Sequence, residues 1–386
     1  MSKNTPDSTT PKQAKNKVVY IDHLKIGLTV LVILHHAFIT YGAPGGWYYS
    51  EKTSLPGAKI LMTIFVAVNQ SYFMGFFFFL SALFIPASYN KKGVAKFLKD
   101  RFLRLGIPLI FYSFMLSPLM NYLIYYYAGA HHITFMQFLG GYDNWISFGV
   151  LWFVAALLLF TVFYVVWRQL SDPSGTKASW KIPSVNAILL FAVCLGIFTF
   201  LVRIVFPIGW TLDPVGFQLG HFPQYIAFFI FGIIAADSNW LEQISYARYK
   251  KMGLITLCLI VFGLPMIFVV QAINHSPLAW FAGGFRLLSF LYSNWEQITG
   301  VVITTALLGI GKRSWNTPSP FLATLSRSTF AVYIIHPFVL ISMSLMAIGW
   351  SVEPVVKLLV VAPLSVIFSF ILGLLIVRIP GVNRIV

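Results

Sequence analysis

Charged side chains are scarce in this sequence of 386 residues: only 10% are Asp, Glu, Lys or Arg, whereas 58% are hydrophobic. A soluble domain has about 25% charged and about 45–50% apolar residues, so a soluble enzyme or binding module is excluded. Glycine (28) and proline (20) are too few for a collagenous or low-complexity chain. Apolar runs long enough to cross a bilayer recur along the chain, which indicates a membrane protein with several spans.

Cysteine is nearly absent as well. The two cysteines, Cys194 and Cys258, each lie inside an apolar run. Free cysteine behaves as a small hydrophobic residue, so both are expected to pack in the core, and no disulfide is expected.

Acidic residues are also few, with 11 Asp and Glu against 27 Lys and Arg, and the formal net charge is +16. The basic residues fall between the apolar runs, which is typical of membrane topology rather than of nucleic-acid binding. Of the 27, 21 lie on one side of the predicted spans. The positive-inside rule places that side, with both termini, in the cytoplasm.

The predicted fold class is all-α, a polytopic membrane bundle of about ten helices. It occupies residues 20–380 and follows a basic cytoplasmic tail, residues 1–19, that is expected to be disordered. The predicted spans are 21–41, 60–86, 106–128, 149–168, 184–206, 223–238, 252–271, 285–310, 328–350 and 355–378.

Ionisable side chains inside a span are costly and are therefore candidate functional residues. The first span carries Lys25 near its start and His36 in its second half. They are eleven positions apart, so they share one helix face and are separated by about 16 Å. A lysine that extends to the headgroups and a histidine satisfied by a neighbouring helix are the structural alternative.

Three other spans carry candidates of the same kind. Glu296 is expected near mid-membrane, where a carboxylate needs a proton or a cationic partner; an ion pair with Arg203 or Arg286 is its structural alternative. His336 precedes a proline, which frees a backbone carbonyl. The remaining loop histidines are expected to be solvated, and their spacing predicts no metal site: His131, His132, His221 and His275.

Six segments carry motifs in a characteristic order. They are DHLKIGLTVLVILHH with Lys25 and His36, FFFFLSALF, FLKDRFLRLGIPL with Arg101 and Arg104, LWFVAALL around Trp152, GHFPQYIAFFIFGIIA, and YIIHPF with His336. Their order and residue types resemble the acyltransferase 3 family of bacterial integral-membrane O-acyltransferases over about residues 20–375. That family usually has arginine where Lys25 stands and glycine where Ala82 stands. Lysine offers a point charge instead of a two-pronged fork.

The resemblance implies an enzyme that moves an acyl group, acetyl or succinyl, from cytoplasmic acyl-CoA to a hydroxyl of an extracytoplasmic or exported carbohydrate. It implies acyl-CoA as co-substrate, a carbohydrate or glycolipid acceptor, membrane lipid as surroundings, and neither nucleic acid nor a permanently bound cofactor. The implied location is the bacterial cytoplasmic membrane. The layout is similar to glucan succinyltransferase-like members. The alternative is a transporter or flippase of a glycan or lipid-linked precursor, which also needs buried charges and aromatic outer loops.

Roles for the candidate residues follow from this hypothesis. His36 is the base that takes the proton of the acceptor hydroxyl, and Glu296 orients it. Cations on the cytoplasmic side hold the phosphates of the donor: Lys25, Arg101 and Arg104. Candidate contacts to the transition state or acceptor are Arg203, His336 and Trp152.

Overall fold

Ten long helical segments form the bundle in a computed structural model that describes residues 18–171 and 179–385. Most of the predicted tail and Lys177 lie outside the described residues. The segments are α1 (Val19–Thr40), α2 (Pro56–Lys92), α3 (Val94–Tyr127), α4 (Gly149–Leu170), α5 (Val185–Val205), α6 (Leu219–Asp237), α7 (Tyr249–Ile273), α8 (Leu287–Ser314), α9 (Pro320–Met346) and α10 (Pro354–Ile376).

Several segments are interrupted where the backbone leaves regular α-helix. Segment α2 consists of the helices Pro56–Gln70, Phe73–Ala82 and Ile85–Lys92. Single π-helical turns occur at Phe102–Gly106, Tyr112–Leu116 and Leu259–Gly263. Short helices in connections are Phe135–Gly140 and Trp240–Gln243. Among the described residues the only β-pairing is one isolated bridge, Leu212 with Phe217, so the all-α fold class is confirmed.

Nine of the ten segments are long and apolar enough to cross a membrane, and α8 is the exception within the described chain. Every predicted span overlaps one of the segments. The 28-residue α8 carries Asn294, Glu296 and Gln297 near its middle and Lys312 and Arg313 in its last turn. These polar residues lower its mean hydropathy, although its length of about 40 Å exceeds the thickness of a bilayer core.

The bundle is apolar outside and carries polar side chains inside, as expected for a protein surrounded by lipid. Leu190 on α5 is 66% exposed, whereas Arg203 on the same helix is fully buried. Cys194 and Cys258 are free and lie exposed on the outer surface. The expectation that both cysteines pack in the core is therefore wrong, because these helices turn an apolar face outward as well as inward.

Packing between segments that are distant in sequence builds the interior. Segment α8 packs between α5 and α7, α9 packs against α1 and α10, and α6 packs on the second half of α2. The largest apolar cluster joins α1, α2, α4, α6 and α9 through buried aromatic rings such as Phe76, Phe78 and Tyr225. This arrangement surrounds α1 with other helices.

One end of the bundle, called the basic end here, is where α1 begins and where most of the described Lys and Arg residues lie. There Lys312 Nζ donates to the Glu242 carbonyl at 2.5 Å. The Tyr20 amide donates to Asn316 Oδ1 at 3.4 Å. These bonds connect the start of α1 and the loop before α7 to the end of α8.

The opposite end, called the far end, carries the loops after α1 and after α9. Glu353 Oε1 accepts hydrogen bonds from the hydroxyl of Thr53 at 2.7 Å and from the Ser54 amide at 2.8 Å. The bond from Thr53 contributes most to lowering the pKa of Glu353 below its usual range. Lys357 Nζ lies 2.7 Å from Glu51 Oε2. The loop after α1 is thus fastened to the start of α10.

Candidate active site

A cavity of about 970 Å³ opens between the helices at the far end, a volume at the upper end of the range for small-molecule sites. Segments α1, α2, α6 and α7 supply most of its wall, and the exposed residues Ile60 and Leu278 lie at its mouth. Lys59 adds one cation there. Polar side chains that line the cavity include His35, His36, Gln70, Gln218 and His221.

His36 reaches the cavity because it shares a face of α1 with Val32 and Ile39, which also line it and lie one turn away on either side. Its ring stacks on Trp47, with 4.0 Å between centroids and 18° between planes. Nδ1 of His36 is buried without a hydrogen-bond partner among the described residues. Aromatic packing therefore holds this imidazole in place.

Two more histidines adjoin His36. His35 also lines the cavity and stacks on Phe73 with 4.9 Å between centroids. His336 is fully buried; its ring lies nearly parallel to that of His36 at 5.5 Å, and its Nδ1 donates to the Tyr333 carbonyl at 2.8 Å. His336 thus supports His36 and is absent from the cavity lining. Among the described residues, no group of three His, Cys, Asp or Glu side chains is placed to hold a metal ion.

A buried ionic network lies beside the same cavity. Arg203 Nη1 is 2.6 Å from Glu296 Oε2, and Glu296 Oε1 is 3.1 Å from His221 Nδ1. Arg203 also donates through Nε to the Gly220 carbonyl at 3.0 Å and through Nη1 to Ser293 Oγ at 3.2 Å. The three ionisable side chains are each 4% exposed or less. A buried ion pair needs such additional hydrogen bonds to offset the loss of hydration.

The network fixes the ring of His221. Nδ1 of His221 lies 3.0 Å from Arg203 Nη2 as well as 3.1 Å from Glu296 Oε1. In one tautomer Nδ1 accepts from Arg203, and in the other it donates to Glu296. Three helix segments supply the partners: Arg203 from the last turn of α5, His221 from the first turn of α6, and Glu296 from α8.

Two sequence expectations are corrected by this geometry. Glu296 was expected to orient His36, but its oxygens contact Arg203 and His221, and Nδ1 of His36 has no hydrogen-bond partner in the described chain. His221 was expected to be a solvated loop residue, but it is buried and lines the cavity. The expected alternative of an ion pair between Glu296 and Arg203 is what the structure has.

An aromatic wall completes the cavity. Trp152 lines it and stacks on Tyr225 with 5.3 Å between centroids. Tyr225 lies one turn after His221 on α6 and also faces the cavity. Tyr333 lines the cavity from α9, and its hydroxyl donates to the carbonyl of Val150 at the start of α4. Such walls are typical of small-molecule sites, where a few polar groups set the orientation of the ligand.

A polar junction next to the ionic network of Arg203, His221 and Glu296 holds α2, α6 and α8 together. Gln224 Nε2 donates to the Ser71 carbonyl at 2.7 Å and to Gln297 Oε1 at 2.9 Å. Ser71 lies at the break in α2, where a carbonyl lacks its regular helical partner. Gln224 follows His221 by three residues, and Gln297 follows Glu296 directly, so the junction helps to position the ionic network.

Gly300 allows this close approach, and we expect Gly300→Ala to destabilise the protein. A Cβ at Gly300 would overlap the Ser71 carbonyl and come within 2.7 Å of Gln224 Nε2. Overpacking of this kind costs about 1–3 kcal/mol. Thermal unfolding in detergent measures the effect. Gly253→Ala is the matched control, because nothing lies within 4 Å of its added Cβ; equal melting temperatures for the two variants would contradict the steric argument.

The three cations predicted to bind the donor lie at the basic end, apart from the cavity lining. Lys25 Nζ is 3.8 Å from Asp22 Oδ1 and 4.5 Å from the centroid of the Phe84 ring. The Arg101 guanidinium lies 5.1 Å from the centroid of Phe97. The side chain of Arg104 is exposed. On α1 the cavity lining begins at Val32, seven residues and about 10 Å beyond Lys25.

The fold and site define a class of protein: a multi-pass helical membrane protein with a cavity at one end and charged groups buried beside it. The family model described as an acyltransferase domain, of the acyltransferase 3 family, matches residues 18–376. The chain therefore belongs to this acyltransferase family, and the resemblance seen in its motifs is confirmed. No curated protein and no solved structure matches it.

Proposed function

We propose that this protein transfers an acetyl or succinyl group from acyl-CoA to a hydroxyl of an extracytoplasmic or exported carbohydrate. Membership of the acyltransferase family supports the reaction class. The observation that carries the assignment of the site is the 970 Å³ cavity, into which His36 from α1 and His221 from α6 both project. Histidine is the side chain that most often serves as a general acid or base.

The proposed orientation places the basic end in the cytoplasm of a bacterial cell and the cavity toward the outer face. The excess of Lys and Arg at the basic end supports this orientation. Acyl-CoA then approaches from the basic end and the carbohydrate from the cavity mouth. The donor's extended arm has to cover the stretch of α1 between Lys25 and Val32.

In the proposed reaction His36 acts as general base. The acceptor hydroxyl gives its proton to the imidazole, its oxygen forms a bond to the thioester carbon, and the carbon–sulfur bond then breaks. The CoA thiolate leaves and takes up the proton from the imidazolium. The step therefore consumes only acyl-CoA and the acceptor.

Glu296 acts in this scheme through His221. The Arg203–Glu296 pair holds the His221 ring against the cavity, where its other nitrogen is available to a substrate. When Nδ1 accepts from Arg203, the hydrogen of the neutral ring is on Nε2. A hydrogen bond from Nε2 to the carbonyl oxygen would stabilise the charge that develops there. Trp152 bounds the acceptor's space, and His336 keeps the His36 ring in position.

Purified protein in proteoliposomes tests the proposed function. Acetyl-CoA or succinyl-CoA with a labelled acyl group is supplied on one side of the vesicle membrane, and a glucan acceptor on the other. We expect the label to become covalently attached to the glucan. Protein-free vesicles and heat-inactivated protein are the controls. Movement of the glucan across the membrane with neither transfer nor hydrolysis of the thioester would instead support the flippase alternative.

The donor-binding role of the basic end gives a separate prediction. The double variant Arg101→Ala with Arg104→Ala is expected to raise the apparent KM for acyl-CoA on the order of tenfold or more, because each charge-assisted hydrogen bond contributes about 1.5–3 kcal/mol. The KM for the acceptor should change little. Lys251→Ala, which removes another exposed cation near the basic end, is the matched control. An unchanged KM for acyl-CoA would exclude the two arginines from donor binding.

A further inference from the structure

A second cavity, of about 500 Å³, lies at the basic end between α5, α6, α7 and α8. Its wall is almost entirely apolar and includes Phe191, Phe231, Ile234, Val301 and Leu308. None of the histidines or buried ions of the first site contributes to this lining. The cavity therefore contains no imidazole or buried ion pair that could take part in acyl transfer, and a wall with so few polar groups does not suit a carbohydrate.

The entrance to this cavity carries aromatic and cationic side chains. Trp240 Nε1 donates to the Trp180 carbonyl at 2.8 Å, and the Trp180 amide donates to Ser238 Oγ at 3.0 Å. Both tryptophans line the cavity, as does the exposed Lys181. Tryptophan is enriched where a membrane meets water, and basic side chains there attract anionic headgroups. The composition of the entrance is therefore typical of the depth at which lipid headgroups lie.

One buried hydroxyl in the wall indicates a ligand with a polar atom. Thr304 is 5% exposed and lines the cavity, yet its Oγ1 has no hydrogen-bond partner among the described residues. The neighbouring Thr305 shows the usual helical solution, because its Oγ1 donates to the Val301 carbonyl at 2.8 Å. A buried polar group normally has a partner, and an ester oxygen at the head of an acyl chain would supply one to Thr304.

We infer that this cavity binds one acyl chain of an anionic phospholipid. The chain lies among the apolar side chains of α5, α6 and α8, an ester oxygen accepts the hydrogen bond of Thr304, and the phosphate lies near Lys181. The lipid fills the gap between α6 and α8, the two segments that carry His221 and Glu296. The inference does not depend on the proposed acyl transfer, since it concerns a different cavity and a different ligand.

Native mass spectrometry and thermal unfolding of the full-length chain in detergent test this site. We expect phosphatidylglycerol to remain bound and to raise the melting temperature by several degrees, with a weaker effect from phosphatidylcholine of the same chain length. Lys181→Ala should reduce the preference for phosphatidylglycerol about fivefold, the effect of one basic residue near an anionic surface. Lys251→Ala, away from the cavity lining, should leave the preference unchanged.

Two further variants probe the interior. Ile188→Trp should fill the cavity and abolish lipid retention, and Thr304→Val should weaken it, whereas Thr305→Val is the matched control because its hydroxyl already has a backbone partner. Phosphatidylglycerol retained by Ile188→Trp as by the unchanged protein would place the lipid on the outer surface and overturn the inference. Equal effects of the two lipids, or an adduct with the mass of acyl-CoA or a glycan, would also overturn it.

Discussion

Replacing His36 with alanine is expected to abolish acyl transfer while leaving the amount of protein in the membrane and its melting temperature nearly unchanged. The ring is partly exposed to the cavity. It stacks on Trp47 and adjoins the rings of His35 and His336. Its buried Nδ1 makes no hydrogen bond to another described residue, so removal leaves no polar partner unsatisfied. The loss of a general base reduces the rate of the reaction about 10²–10⁴-fold. Activity measured in proteoliposomes should therefore fall to the background of the assay.

A variant at another histidine is the control for this experiment. His132→Ala removes an exposed imidazole outside the spans and should keep full activity. His36→Gln retains a side chain of similar size without the basic nitrogen and should be as inactive as His36→Ala. Activity retained by either His36 variant, at equal protein level, would remove this residue from the chemistry and leave His221 as the imidazole to test next.

The helical membrane fold could be predicted from the sequence because apolar runs of span length recur along the chain. Each apolar run of about 20 residues must hydrogen-bond its backbone internally in lipid, and a helix does so. The first and last residues of the spans were predicted less accurately. The prediction began the second span at residue 60 and ended it at 86, whereas α2 runs over Pro56–Lys92. Hydropathy records the lipid-buried part of a helix and not the polar turns that continue it.

Part of the site was also predictable, because charge inside a span is costly enough to imply a function or a partner. That rule selected His36, Arg203 and Glu296, all of which line or adjoin the cavity. It missed His221, which lies at the first turn of α6 and therefore looks like a loop residue. The motif GHFPQYIAFFIFGIIA held a signal, since its histidine directly precedes an apolar run.

Partnerships between helices were not predictable from one sequence. Helical spacing describes the faces of one helix, so it can relate Lys25 to His36, which lie on the same helix. Which guanidinium or imidazole Glu296 pairs with depends on how α5, α6 and α8 pack, and no periodicity records that packing. The separation of the cavity from Arg101 and Arg104 was not predictable either. It depends on how many side chains pack around α1 between the basic end and the cavity.

The second large effect is expected from Glu296→Ala, which should lower the stability of the protein strongly as well as its activity. Arg203 is fully buried, and its charge would lose its counterion. Its remaining acceptors would all be neutral: the Gly220 carbonyl, the Ser293 hydroxyl and, in one tautomer, Nδ1 of His221. Removing one partner of a buried ion pair costs about 3–5 kcal/mol. The melting temperature in detergent, and the fraction of protein recovered as a folded species, measure this loss.

Removing both charges of the pair shows whether the stability lost in Glu296→Ala results from the unpaired charge of Arg203 or from the loss of packing. In the double variant Arg203→Met with Glu296→Met neither charge remains, and replacing a buried pair by apolar side chains is often neutral or stabilising, so most of the lost stability should return. Activity should stay low, because His221 no longer has a carboxylate to fix its ring. Asp100→Ala breaks the exposed pair with Lys92 and should change stability little. If the double variant were no more stable than Glu296→Ala, the unpaired charge would not be the cause of the loss.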